Sequence, residues 1–427
     1  MFIPYEKIGN IIYKYYKSEK LKNFFYSKKV AQNLRFIKKN KTKVLQKLKL
    51  KSKNGEKIKI VFYVYDETKW KCQSIYDLLK KEPNFEVKIL VTKNAAQNID
   101  NPSYQTDEEI IKTYDFFKKH NMNVEYAYDF KTDKHIPLKK FKPDIIIYQH
   151  PWYVETSQGP VICSKFALTY YIPYNIANVA TYIEYGLRFH QYIEKYYVLN
   201  DYVKNFYHEK QIQKTNNMLA VGHPQLDYYY YYLNCNIKPR KYVIYSPHWT
   251  IKGEGMGYST FLENGELILE FAQKHPELNW VFKPHPLLFN RLCEFENWGK
   301  EKTQKYYDDW KKLGIYCDNC DYMDLFNESV ALITDCGSFL TEYLLTEQPV
   351  IHLISANAAE YNDNVKKIVK TYYQSHNNEE LKKFLDKILI QKEDCKKINR
   401  INILKELNLA NNNCAQNILN DIKNEIK

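Results

Sequence analysis

Apolar and polar positions along the 427-residue chain alternate in blocks, and the blocks predict the architecture. Ile58–Tyr65 (IKIVFYVY) is a β-branched and aromatic run of the kind that fills a parallel strand covered on both faces. Lys69–Lys81 then reads as helix, Val87–Val91 as strand, Glu108–His120 as helix and Asp144–Tyr148 (DIIIY) as strand. Ala167–Ile172, Tyr196–Leu199 and Met218–Val221 add three strand-like runs. After Asn234–Lys241, read as a linker, the alternation restarts. Tyr242–Tyr245, Asn279–Phe282, Gly314–Cys317, Ala331–Thr334 and Val350–Leu353 read as strands, with helices at Phe261–Lys274 and Ser338–Leu345. From Tyr361 the pattern is polar and helical. Strands alternating with helices predict an α/β fold of two doubly wound halves, with ligands expected at the carboxyl ends of the strands. The expected division is a basic helical segment 1–56, an acceptor-side domain 57–237, a nucleotide-binding domain 238–400 and a C-terminal helix 401–427.

The N-terminal segment departs from this pattern. Over residues 5–53, Ile8, Ile11, Ile12, Tyr15, Tyr16, Phe24 and Phe25 recur at helical spacing, with lysines in the gaps. The net charge of the chain is +13, and residues 1–60 hold 18 Lys and Arg against 3 Asp and Glu. That segment therefore carries +15 and the body −2. Two readings fit: a helix on an anionic membrane surface, or a basic helix packed on the body. No apolar run is long enough to span a bilayer, and MFIPYEKIGN has no signal-peptide pattern. Nine scattered cysteines argue against a disulfide framework and for a reducing cytoplasm. The expected location is the inner face of the cytoplasmic membrane. A slightly acidic body without a recognition motif excludes nucleic acid as the expected partner. The composition, 44% hydrophobic and 26% charged, excludes a disordered or fibrous chain.

Three segments of the second half fall at strand ends: Ser246–Thr250 (SPHWT), Lys283–Pro286 (KPHP) and Thr334–Ser338 (TDCGS). On parallel strands they share a rim suited to phosphate. A helix starting near Ser338 points free N–H groups at it, and Gly337 lets the backbone come close. Lys283, His248 and His285 can donate to phosphoryl oxygens. Glu342 lies one helical turn beyond Ser338, in reach of ribose hydroxyls. The competing reading makes Asp335 and Ser338 simple helix caps and leaves His248, His285 and Glu342 as structural groups. The Cys317–Cys320 pair (CDNC) has no second pair to complete a zinc site. Gly253, Gly255 and Gly257 read as a mobile loop over the cleft.

Together with Gly222–Asp227 (GHPQLD) and Leu332–Pro349 (LITDCGSFLTEYLLTEQP), these motifs resemble the CDP-glycerol glycerophosphotransferase family of teichoic-acid and capsule synthesis in bacteria. The resemblance covers roughly residues 140–355. It implies a GT-B fold with two Rossmann-like domains facing across a cleft, and no required metal or cofactor. It implies transfer of glycerol phosphate, or a related polyol phosphate, from a CDP-activated donor to a hydroxyl of a surface glycan or lipid-linked acceptor, releasing CMP. Lys283, His285 and Ser338 then contact the donor phosphates, Glu342 the ribose, and Asp335 orders the loop. Cys336-Gly337 stands where the family usually has Tyr-Ser, leaving Gly337 only its backbone N–H. In the family a His-Gly dipeptide after a first-domain strand supplies the base; here Gln149-His150-Pro151-Trp152 follows DIIIY, so His150 is the candidate. Tyr171 and Tyr174 fall on the acceptor side. The alternative is a GT-B glycosyltransferase using a nucleotide sugar.

Overall fold

The computed structural model describes residues 28–96, 105–176, 186–208, 216–235, 238–251, 256–317, 322–409 and 413–427. Ile8, Ile11, Ile12, Tyr15, Tyr16, Phe24, Phe25, Gly253, Gly255 and Cys320 lie outside them. The described chain forms two compact units: residues up to 228 together with 413–427, and residues 229–409.

The first unit is built on a parallel sheet of β1 (Ile58–Val64), β2 (Phe85–Val91), β3 (Val124–Tyr126), β4 (Ile145–Tyr148), β5 (Leu168–Tyr171), β6 (Lys195–Val198) and β7 (Met218–Ala220). Its order is β3-β2-β1-β4-β5-β6-β7. The chain winds outward in one direction from β1 and in the other from β4, so a crevice opens beyond the carboxyl ends of β1 and β4. The second unit repeats the scheme with β8 (Tyr242–Ser246), β9 (Asn279–Phe282), β10 (Ile315–Tyr316), β11 (Ser329–Thr334), β12 (Val350–Leu353) and β13 (Tyr373–Ser375), in the order β10-β9-β8-β11-β12-β13. Here the switch lies between β8 and β11. Every pairing in both sheets is parallel, and β1, β4, β8 and β11 are almost wholly buried, as their apolar runs require.

Several elements differ from the sequence reading. The helix expected over Lys69–Lys81 is a short 3₁₀ turn, Glu67–Lys69, followed by α2 (Gln73–Lys81). Asp66 caps that turn by accepting from Thr68 N at 2.9 Å. The helix expected from Ser338 is α7 (Phe339–Tyr343), continued by a 3₁₀ turn to Thr346. Part of the expected linker is the end of helix α4 (Pro224–Cys235). The segment 401–427, expected as one helix, is two: the end of α8 (Lys397–Glu406), and α9 (Cys414–Ile426), which returns to the first unit. Ile418, Leu419, Ile422 and Ile426 of α9 are buried in the same core as Leu79 and Ile60. Such a face contributes about 1.5–3 kcal/mol per large apolar side chain.

The basic segment, where described, is α1 (Lys28–Lys53). Val30, Ile37, Val44 and Leu48 recur at seven- and four-residue steps and are buried. Val44 and Leu48 belong to the first unit's core. Of the two readings, the packed helix describes this stripe, because the apolar face is spent on the body. Arg35, Lys38, Lys39, Lys43, Lys49 and Lys53 remain exposed, whereas Lys47 and Lys51 reach the buried Asp144 of the body. No helix among the described residues is long and apolar enough to cross a membrane.

Candidate active site

In the second unit the strand register decides which loops meet. Tyr245 pairs with Phe282, and Ser246 with Thr334. The three following loops therefore leave one end of the sheet side by side, and they are stitched together. Ser246 Oγ donates to Lys283 O at 2.7 Å, Thr334 Oγ1 to Ser246 O at 2.6 Å, and His285 N to Pro247 O at 3.0 Å. Asp335 is the hub, accepting from His248 N (2.6 Å), Thr260 N (2.7 Å) and Thr260 Oγ1 (3.0 Å). Burial pushes its pKa up to about 7, against the pull of those donors. The simple capping role does not hold. Neither Asp335 nor Ser338 caps α7 through its side chain; Ser338 Oγ lies 3.1 Å from Cys336 Sγ.

The two rim imidazoles share one arrangement, with ring centroids 5.3 Å apart. Nδ1 of His248 lies 2.8 Å from Thr250 Oγ1, whose own lone pair takes Tyr258 N at 3.0 Å. Nδ1 also accepts from Thr250 N at 3.3 Å, so it is the unprotonated nitrogen and the Thr250 hydroxyl proton points to it. Nδ1 of His285 accepts from Leu287 N at 3.2 Å. With both Nδ1 atoms accepting, both protons sit on Nε2, and each ring presents one donor. Burial holds His248 down to about 3 and His285 to about 4, the latter helped by Lys283, so both rings are neutral donors near pH 7. Lys283 is buried, its ammonium 5.5 Å from the Tyr322 ring centroid and 5.6 Å from that of Phe339. Glu342 is buried too and accepts from Tyr322 OH (3.0 Å) and Tyr229 OH (3.3 Å). Nothing in the local sequence announced these two tyrosines as its partners. Gly337 is buried and Ser338 exposed, at the start of α7.

In the first unit, Tyr63 pairs with Tyr148 and Tyr148 with Tyr171. Tyr65 and His150, each two residues further on, thus come together at the switch point. Their ring centroids lie 4.0 Å apart, and Tyr174 also stacks on His150, at 5.2 Å. His150 stands at the end of its strand, as expected, and its side chain is fully enclosed. Neither of its ring nitrogens has a hydrogen-bond partner among the described residues. Burial pushes its pKa well down, with Lys69 acting in the same direction. Tyr171 does not join this group; its side chain packs among Phe189, His190 and Tyr196.

The Gly222–Asp227 motif has a structural task. Gly222, at φ +98°, lies where a Cβ would come within 2.8 Å of Cys414 Cβ. Asp227 accepts from Cys414 N (3.0 Å) and Ala415 N (2.6 Å), capping the start of α9. Cys317 is disulfide-bonded, whereas Cys72, Cys163, Cys336 and Cys414 are free and buried. Among the described residues no three His, Cys, Asp or Glu side chains gather to hold a metal ion.

The family model for CDP-glycerol:poly(glycerophosphate) glycerophosphotransferase matches residues 46–422. The chain belongs to this family. It is a transferase, a glycerophosphotransferase by family, and the motif order that suggested it spans both units. Solved structures agree on the fold. Wall teichoic acid polymerase TagF superposes with a TM-score of 0.54 at 13% identity, covering 94% of this chain and 98% of its own. A TagF variant soaked with CDPG gives 0.53 at the same identity and coverage. UDP-GlcNAc 2-epimerase from Neisseria meningitidis, bound to UDP-GlcNAc, gives 0.55 at 14% identity, covering 86% of this chain and 100% of that one. Both kinds of neighbour share the GT-B fold. No curated protein sequence matches significantly.

Proposed function

We propose that the rim of the second unit binds the diphosphate of CDP-glycerol and that the first unit presents the acceptor hydroxyl to His150. The hydroxyl oxygen attacks the β-phosphorus, His150 takes its proton, and the bond from that phosphorus to the CMP oxygen breaks. CMP then leaves with its charge held by Lys283, the Nε2–H groups of His248 and His285, and the backbone N–H groups at Gly337 and Ser338. Glu342 takes the ribose, Asp335 holds the loops, and Tyr171 and Tyr174 belong to the acceptor side, Tyr171 by supporting the strand end. The step needs no metal or cofactor. The observation that carries this reading is the meeting of the three loops at one sheet end with two matched imidazole donors and a buried lysine.

The acceptor in this reading is a hydroxyl of a capsule or teichoic-acid-like glycan, free or lipid-linked, at the inner face of a bacterial cytoplasmic membrane. The lysine face of α1 supports that location: such cations contribute about 1 kcal/mol each near an anionic bilayer. CMP release from purified protein with CDP-glycerol and a lipid-linked acceptor tests the donor. The expected result is turnover by the wild type and a loss of about a hundredfold or more in Lys283→Met. Turnover with a nucleotide sugar, and none with any CDP-polyol, overturns the assignment.

A further inference from the structure

The donor rim continues past its two imidazoles. Glu342 and Tyr322 mark its nucleoside end, and Lys283 adjoins them, its ammonium 5.5 Å from the Tyr322 ring centroid. His285, two residues beyond Lys283, meets His248 at 5.3 Å. The next ring is Trp249, whose centroid lies 5.9 Å from each imidazole. A diphosphate held from Lys283 to the imidazoles therefore brings the group esterified to its β-phosphate toward Trp249. The other aromatic neighbour of His248, Tyr258, is buried against Gly337 and offers no surface. Trp249 is only partly buried, and Leu287, beside His285, is 38% exposed.

Arg291, on the short helix Leu288–Cys293, completes this end. Its guanidinium lies over the Trp249 ring, 5.5 Å from the centroid. Held against an indole, a guanidinium is fixed in place at little cost to its N–H donors. One of them goes to Glu294 Oε2 at 3.3 Å. The two side chains are 38% and 67% exposed, so water competes for the pair and a ligand can share it. An apolar ring surface, a fork of donors and a carboxylate acceptor are what a vicinal diol engages. Its C–H groups lie against the ring, its oxygens accept from the fork, and a hydroxyl proton goes to the carboxylate. We propose that Trp249, Arg291 and Glu294 form the subsite for the transferred polyol and that Arg291, by reading its vicinal diol, determines which group is transferred. The inference rests on the reading of the rim as the diphosphate site of CDP-glycerol.

Equilibrium binding to the full-length protein tests it with two ligands of equal charge, CDP-glycerol and CDP-ethanol, the second lacking the diol. Thermal unfolding is recorded for every variant. The wild type is expected to bind CDP-glycerol about tenfold more tightly. Arg291→Met should raise Kd for CDP-glycerol by about tenfold and leave that for CDP-ethanol within about twofold, as loss of charge-assisted contacts to the diol alone requires. Trp249→Leu should erase the same preference by releasing the guanidinium. Equal losses on both ligands in Arg291→Met would make Arg291 a phosphate contact and overturn the proposal, as would a preference that survives either substitution. A wild type that binds both ligands equally well overturns the proposal alone. One that binds neither overturns the diphosphate reading beneath it.

Discussion

At Gly337 a Cβ would lie 3.1 Å from Cε2 and 3.2 Å from Cζ of Tyr258. Tyr258 cannot simply retreat. Its ring stacks on Tyr361 at 5.5 Å, and Tyr361 OH is 3.2 Å from His352 Nε2. The family's usual serine at this position would collide with that stack, so the departure noted in the sequence is matched by a tyrosine far along the chain. Gly337→Ser is expected to cost about 1–2 kcal/mol in thermal unfolding, the usual cost of overpacking, and to raise KM for CDP-glycerol several-fold. Adding Tyr258→Ala should relieve the KM defect. An unchanged KM in the single variant would show that the ring yields freely. That glycine's oddity was legible in the sequence; its cause was not, because no local pattern names a ring from another loop. His150 gives the same lesson: its strand-end position was legible, but its enclosure depends on Tyr65 and Tyr174, which only the strand register places.

Among the elements, the C-terminal helix α9 is tied down at both ends. Asp227 caps its first turn, and Lys195 pairs with Asp421 at 2.6 Å and with Glu425. Removing the cap by Asp227→Ala strips two buried N–H groups of their acceptor and is expected to cost about 1–2 kcal/mol. Calorimetry should show a melting temperature lower by a few degrees, and hydrogen exchange should quicken first in residues 414–418. Unaltered exchange there would mean that the apolar face alone holds the helix. From sequence, α9 was legible as a helix but not as a part of the first unit, since Asp227, Lys195 and the core residues of α2 and β1 that it meets all lie far earlier in the chain. The long buried runs of β1, β4 and β11 were read correctly because burial on both faces leaves few polar positions. Strands β3 and β13 escaped notice: each has three residues, lies at a sheet edge and includes partly exposed polar positions. Helix α4 was masked by its tyrosine run, which gives little apolar–polar contrast around the helix.

For the molecule as a whole, buried histidines set the response to acid. Burial holds His190, His248 and His352 down to about 3, and His223 and His285 to about 4, while His150 is also pushed well below its ordinary value. Three lie in each unit. Unfolded, each titrates near 6.5. As pH falls through that value the unfolded chain takes up protons that the native chain refuses, so stability drops until the native values are reached. Two acids act the other way. Burial pushes Asp335 and Glu194 up to about 7, so the native chain keeps protons that unfolded carboxyls release above about 4, and stability rises as pH falls between those values. At about pH 5 each histidine contributes a loss of about 2 kcal/mol, and each acid returns a similar amount relative to pH 7. Six groups against two leave a net loss of several kcal/mol. The melting temperature should therefore fall between about pH 7 and pH 5, and unfolding at about pH 5.5 should take up protons in a buffer-enthalpy series. A melting temperature that holds or rises toward pH 5 would mean that the imidazoles are solvated in the native protein, and the neutral Nε2–H donors assigned to the donor rim would lose their basis.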